Sequence, residues 1–196
     1  MARPREFDER RVLRAVREQF WNAGYAATSL QDLMRDSGLG KGSLYAAFGD
    51  KHQLFLRALR GYNDANDLAL RTMLEAAPRA VDGLRAFVMA PVSDASGVAA
   101  QRGCFMANST YELAAADAEV LTEARRTYEA TTAAVAECVV RAQGEGDVSA
   151  DSDPMGTARA LLAAQQGVVF MGRTGMDITT LTATADSLTA QLLPEG

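Results

Sequence analysis

The chain has 196 residues, 48% of them hydrophobic and 23% charged, with a formal net charge of −5, which suits one large or two small globular domains. No run of about eighteen apolar residues occurs, which excludes a membrane span, and the charged start MARPREFDERR lacks an apolar signal segment, so a cytoplasmic location is expected. Cys104 and Cys138 are too few for a disulfide framework and have no metal-ligand spacing, so neither metal nor cofactor is expected.

Charge is unevenly placed. Residues 1–60 hold 11 Lys/Arg against 7 Asp/Glu, a net +4, whereas residues 61–196 hold 9 against 18, a net −9. The chain therefore divides into a basic domain, 1–60, and an acidic one, 61–196. The positive charge sits where a polyanion would need it; on charge alone, a solvated basic face is an equal alternative.

In chain order, residues 1–6 form an arm with Arg3 and Arg5. Such arms can reach a minor groove, but a frayed terminus is the commoner outcome. A first helix over Asp8–Ala23 places Val12, Leu13, Val16 and Phe20 on one face, and Gly24 ends it. Trp21 and Tyr25 are expected beneath the following helices. Thr28 and Gln31 form a capping box, Leu30, Leu33 and Met34 give an apolar face, and Gly38 stops the second helix. Leu44, Tyr45 and Phe48 repeat the spacing in a third helix, and Asp50 with Gln53 starts a fourth. Helix, glycine turn, helix is the arrangement that lays a second helix in a DNA major groove. Gly40, Lys41, Gly42 and Ser43 open that helix with small or basic residues, which let backbone approach a groove wall while Lys41 reaches guanine edges or phosphate.

The run Gly38-Leu39-Gly40-Lys41-Gly42-Ser43-Leu44-Tyr45-Ala46-Ala47-Phe48-Gly49-Asp50-Lys51 resembles the DNA-binding signature of the tetracycline-repressor family of bacterial regulators. The resemblance is strong over about residues 8–60 and beyond them is only a pattern of helices. Two positions depart from it. Gly40 stands where the family usually has Ser or Thr, which removes a hydroxyl cap at a cost of only a few tenths of a kcal/mol. Met34 stands where alanine usually meets the partner helix. On this reading Thr28, Ser29, Lys41, Gly42, Ser43, Tyr45, Lys51 and His52 are the residues expected at the DNA. His52, the only histidine, is expected to be solvent-exposed or on a phosphate rather than catalytic.

The fourth helix carries Leu54, Phe55, Ala58, Leu59 and Tyr62 and continues towards Glu75. A fifth begins near Pro78 and closes at Pro91, and residues 92–101 are a small-residue loop. A sixth covers about Gly103–Ala115, and Asp117 caps a seventh that reaches Gly144. Asp153-Pro154 gives a cap and a proline at the first position of an eighth, and Asp177 caps a ninth. The fold expected is all-α: a three-helix helix-turn-helix domain followed by a helical ligand-binding and dimerisation domain, about nine helices in all.

Phe87, Met89, Phe105, Met106, Tyr111, Tyr128 and Phe170, with polar Asn108, Gln165 and Gln166, have the mix of a pocket for a small apolar ligand. Each taken singly is more often plain core; the family resemblance implies that some pocket exists. Small residues Ala158, Ala163, Ala164 and Gly167 on the eighth helix would let another helix approach, and the resemblance implies a homodimer through the eighth and ninth helices. Cys104 follows Gly103 near a helix start and beside Arg102, a setting that can make a thiol reactive, although buried inert cysteines are commoner. The expectation is a transcription regulator, not an enzyme, that binds a double-stranded palindromic operator and releases it on binding an inducer. Repression rests on the resemblance. A Cys104-based redox or electrophile sensor is the alternative, and a helical protein-binding scaffold the remaining one; no paired carboxylates or activated nucleophile supports catalysis.

Overall fold

Side-chain caps decide where most of the helices begin. In the computed structural model, which describes residues 7–93 and 101–193, Asp8 accepts the Arg11 N–H (3.2 Å) and starts α1 (Glu9–Ala23). Ser29 starts α2 (Leu30–Ser37). Gly40 precedes α3 (Lys41–Phe48) without any side-chain cap, as its missing hydroxyl predicts. Asp50 accepts the Gln53 N–H (2.8 Å) at the start of α4 (Lys51–Ala76). Then come α5 (Ala80–Ser93), α6 (Phe105–Leu113) and α7 (Ala118–Gly144). Asp153 caps α8 (Pro154–Arg173), with Pro154 in its first turn, and Asp177 caps α9 (Ile178–Leu192). The described residues thus form nine helices and no strand. None of these helices is long and apolar enough to cross a membrane.

Three local expectations shift. The capping box lies one residue later than Thr28–Gln31: Ser29 and Asp32 exchange the two bonds, while Thr28 is buried and donates its hydroxyl to the Gly24 carbonyl (2.6 Å). Asp32 wins because its carboxylate is the stronger acceptor for a backbone donor. Pro91 does not close α5, which runs on to Ser93; so near a helix end, proline removes few bonds. The Arg3/Arg5 arm and residues 94–100 of the expected loop lie outside the described residues.

The chain forms two units. The first is Met1–Asp64 with Phe105–Ala124, and the second is Ala65–Cys104 with Arg125–Gly196. A boundary at residue 60 therefore misses a stretch that returns to the first unit from much later in the sequence.

The first unit has an aromatic centre. Phe55 meets Phe20 edge-on (5.2 Å between centroids), Tyr25 (5.0 Å) and Phe105 (6.0 Å). Trp21 packs on Tyr62 (5.0 Å) and Phe105 (5.9 Å), so it sits against α4 and α6. Val12, Val16, Leu33, Leu44, Leu54 and Leu59 are buried around this centre. The apolar spacing read from the sequence is what lets these short helices bury a common face.

In the second unit, Leu84, Val88, Val135, Val139, Leu161, Val168, Leu181 and Ala185 belong to one apolar core. Its edge is fastened by Arg79, whose guanidinium grips both oxygens of Asp147 (2.6 and 2.7 Å). Glu145 accepts the Ala80 N–H (2.8 Å) at the start of α5. Cys138 is buried here, donates to the Ala80 carbonyl (3.4 Å), and has its thiol pKa pushed up by burial. That is an inert setting for a thiol.

Candidate DNA-reading head

The reading geometry starts at Gly38, whose left-handed backbone (φ 70°) ends α2 and whose N–H donates to the Met34 carbonyl. After the two-residue step Leu39-Gly40, α3 begins with Lys41, Gly42 and Ser43, all exposed. A Cβ built on Gly40 or Gly42 would meet nothing within 4 Å. The start of α3 is therefore an uncovered platform of backbone N–H groups, the end of a helix that favours an anion. Leu44 and Phe48, on the opposite side of α3, are buried and fix the helix from below.

Electrostatics separate the cations of this unit into two sets. Arg35 is held by Asp32 (2.7 Å) and Asp36 (2.9 Å), Arg57 by Glu9 (3.2 Å), and Arg17 by Glu18 (2.9 Å). Lys41 and Lys51, by contrast, have no carboxylate within 4 Å among the described residues; each instead lies over an aromatic ring, Lys41 over Tyr45 (5.8 Å) and Lys51 over Tyr25 (4.4 Å). Such contacts restrain an ammonium while leaving its charge available. Burial raises the Tyr25 hydroxyl pKa, helped by the nearby Asp50 and Asp117 carboxylates.

Of the residues expected at the DNA, Ser29, Lys41, Gly42 and Ser43 are exposed, and Tyr45 and Lys51 half-exposed. Two are placed otherwise. Thr28 is drawn inward, as described above. His52 has Nε2 at 2.6 Å from Asp117 and Nδ1 at 3.8 Å from Glu119, so its ring serves an internal contact. That pairing joins residues far apart in the chain and leaves no local signal.

The Ser29–Asp32 box carries a pH dependence. Hydrogen bonds from the Ser29 hydroxyl and N–H, and then from Arg35, hold the Asp32 carboxyl at about 2, below its ordinary 3.8. A carboxyl depressed in the folded state stabilises above its unfolded pKa and loses that contribution as pH falls through the folded value. The difference in urea midpoint between wild type and Asp32→Asn should therefore be constant above pH about 5, shrink as pH falls, and be gone only near pH about 1. A difference that widened on acidification would contradict this assignment.

The residues suggested for a ligand pocket divide between the two units. Phe105 and Met106 are buried in the first unit, where Phe105 joins the aromatic centre; Asn108 is half-exposed there, and Tyr111 is 86% exposed. Phe87 is buried and Met89, Tyr128, Gln165 and Gln166 half-exposed in the second unit, with Gln166 donating to Gln165 (2.8 Å). Phe170 is 63% exposed. On α6 the buried positions are Phe105, Met106 and Ser109, and helical rotation carries Tyr111 to the other side. Tyr111 and Phe170 are thus corrected from cavity lining to surface.

What the sequence reading missed is carried by residues 105–124, which hold Glu112, Asp117, Glu119 and Glu123 and no Lys or Arg. Glu112 accepts the N–H groups of Tyr25 (3.0 Å) and Ala26 (2.7 Å). Glu123, buried, accepts from the Asn63 amide (2.8 Å). An all-acidic stretch in an otherwise helical pattern was the available signal.

Comparison with known proteins agrees with this architecture. Residues 12–58 match the family model described as bacterial regulatory proteins, tetR family, and residues 80–188 match the tetracyclin repressor-like C-terminal domain. The chain is 29% identical over 179 residues to YezE of Bacillus subtilis (strain 168), an uncharacterised HTH-type transcriptional regulator, covering 91% of this chain and 92% of that one. It is 26% identical over 194 residues to the HTH-type transcriptional repressor ComR of Escherichia coli (strain K12), covering 98% and 92%. Among solved structures, a cysteine-substituted form of the TetR family regulator CifR, complexed with 26 bp double-strand operator DNA, superposes with a TM-score of 0.85 at 25% identity, covering 98% of this chain and 100% of that one. A TetR-type regulator from Rhodococcus sp. RHA1 is 31% identical, with a TM-score of 0.62 and coverage of 96% and 100%. With both its reading head and its C-terminal region matched, the chain belongs to the TetR family of bacterial transcriptional regulators.

Proposed function

We propose that this protein is a homodimeric repressor that binds a palindromic operator through two copies of α3 and releases it when a small apolar molecule occupies the C-terminal domain. The observation that carries the DNA reading is the uncovered start of α3, with Lys41 and Lys51 unengaged by any described carboxylate. Among relatives, ComR is a repressor and CifR has been solved on operator DNA. Two reading helices must stand about 34–36 Å apart to enter successive major grooves, so the active form is two-fold symmetric.

The face suited to the dimer contact lies on α8 and α9. Phe170 is 63% exposed and Ile178 52%, Ala163 and Gly167 are exposed, and Thr180, Ala183, Thr184, Ser187 and Leu188 line a shallow depression on α9. Ala158 and Ala164, by contrast, are buried within the unit itself. An inducer acts by binding the form with wrongly spaced heads more tightly than the DNA-competent form; equal affinity for both would shift nothing.

The test is selection of source-genome fragments by the purified protein, followed by affinity measurements across several salt concentrations. Recovery of fragments with a two-fold repeat, and affinity falling steeply as salt rises, is the expected result. A protein that stays a single subunit and retains no fragment in dilute buffer defeats the reading. A thiol-based release signal is a second reading, favoured by the contrast between half-exposed Cys104 and buried Cys138. Under it, a thiol-alkylating reagent releases wild type from the recovered fragments and leaves Cys104→Ser bound.

A further inference from the structure

Residues 105–124 hold the rest of the first unit through the Phe105 ring and through several carboxylates, three of which make close contacts. Asp117 meets His52 (2.6 Å) and Glu123 meets Asn63 (2.8 Å), both on α4. The third grip differs in kind. Glu112, in the last turn of α6, takes two backbone N–H groups at once, Tyr25 on Oε2 and Ala26 on Oε1. Those amides belong to the turn between α1 and α2, so their position sets where α2 starts and how α3 is presented. Hydrogen bonds to an ionised acceptor are the strong kind. The fit is close: Gly24 has φ +82°, and a Cβ there would lie 2.9 Å from Glu112 Oε2. On the other side of the turn, the Thr28 hydroxyl closes onto the Gly24 carbonyl (2.6 Å), next to Ser29, the cap of α2. Tyr25 in turn stacks on Phe20 (5.9 Å) and meets Phe55 (5.0 Å).

We infer that Glu112 is a positioning residue for operator reading: its carboxylate clamps the α1–α2 turn, so that α6 helps to set the affinity of α3. The inference rests on the operator-binding reading above. Connectivity gives it a regulatory sense, because the stretch that supplies the clamp is entered from the second unit at Cys104 and left again at Arg125. Whatever draws on either end of that stretch acts on the seat of the reading helix.

The sign of the effect separates this from simple electrostatics. Removing a negative charge from a DNA-binding head strengthens binding if charge alone matters; loss of a clamp weakens it. The experiment compares wild type, Glu112→Gln and Glu112→Ala on fragments recovered by the wild type, with amide hydrogen exchange read at Tyr25 and Ala26. Expected are about tenfold weaker binding for alanine, the order of change that one lost charge-assisted interaction produces, and a smaller loss for glutamine, which keeps one acceptor. The slope of affinity against salt should match wild type, since no phosphate contact is lost, and both amides should exchange faster. Gly24→Ala, which strikes the same contact from the turn side, should reproduce the loss, and circular dichroism reports whether each variant is folded. Unchanged exchange overturns the clamp, and altered exchange with equal or tighter binding overturns its role in reading. Recovery of no fragment by the wild type defeats the operator reading itself, and this inference with it.

Discussion

Phe55→Ala should cost about 3–5 kcal/mol of stability, the range for deleting a fully buried phenyl group. Phe55 is 1% exposed and its ring contacts Phe20, Tyr25 and Phe105, so its removal empties the junction of α1, α4 and α6 together. Edge-to-face aromatic pairs add to what burial alone contributes, and three would go at once. A loss of this size is a large fraction of the total for an ordinary domain. Chemical unfolding followed by circular dichroism measures it, and fluorescence of Trp21, the only tryptophan, reports on the same junction because its ring packs on Phe105. A loss below about 1 kcal/mol would mean that the site collapses around the cavity and that the aromatic centre is not cooperative.

Lys41→Ala should weaken operator binding by about 1–3 kcal/mol if the ammonium reads a base edge. If it meets phosphate, the loss should be similar for all sequences and the salt slope should drop by about one unit. Measuring recovered and scrambled fragments over a salt series tells the two apart. Stability should barely change, since Lys41 is exposed and its ammonium lies over the Tyr45 ring. Affinity equal to wild type under every condition would move the reading surface away from the start of α3.

The contrast between these two positions shows what the sequence conveys. Lys41 lies in a local signature whose glycine spacing and apolar faces encode both the turn and the exposed helix start, so its place was legible. The helix starts at Asp153 and Asp177 were legible for the same reason: a cap acts within three residues of itself. Phe55 was legible as core, but its partner Phe105 was not, because no periodicity relates positions fifty residues apart. His52 with Asp117, Asn63 with Glu123 and Glu112 with the Tyr25 amide are likewise long-range pairs. Thr28 failed differently. It competes with Ser29 for one cap, and Ser29 has the charged acceptor of Asp32 three residues on, where Thr28 has only the neutral amide of Gln31. The pocket residues were read by composition, and composition cannot distinguish Phe105 in a core from Tyr111 on a surface.

The interrupted make-up of the first unit bears on how such regulators can be recombined. A graft that carried only residues 1–64 onto a foreign body would arrive without Phe105 for its aromatic centre or Glu112 for its turn. Four carboxylates would be left behind with the donor, and the transplanted helices would look more basic while being less firmly built. A chimera that exchanges operator preference cleanly must therefore cut the chain at three places, near 64, 104 and 124, and move both pieces as one cassette.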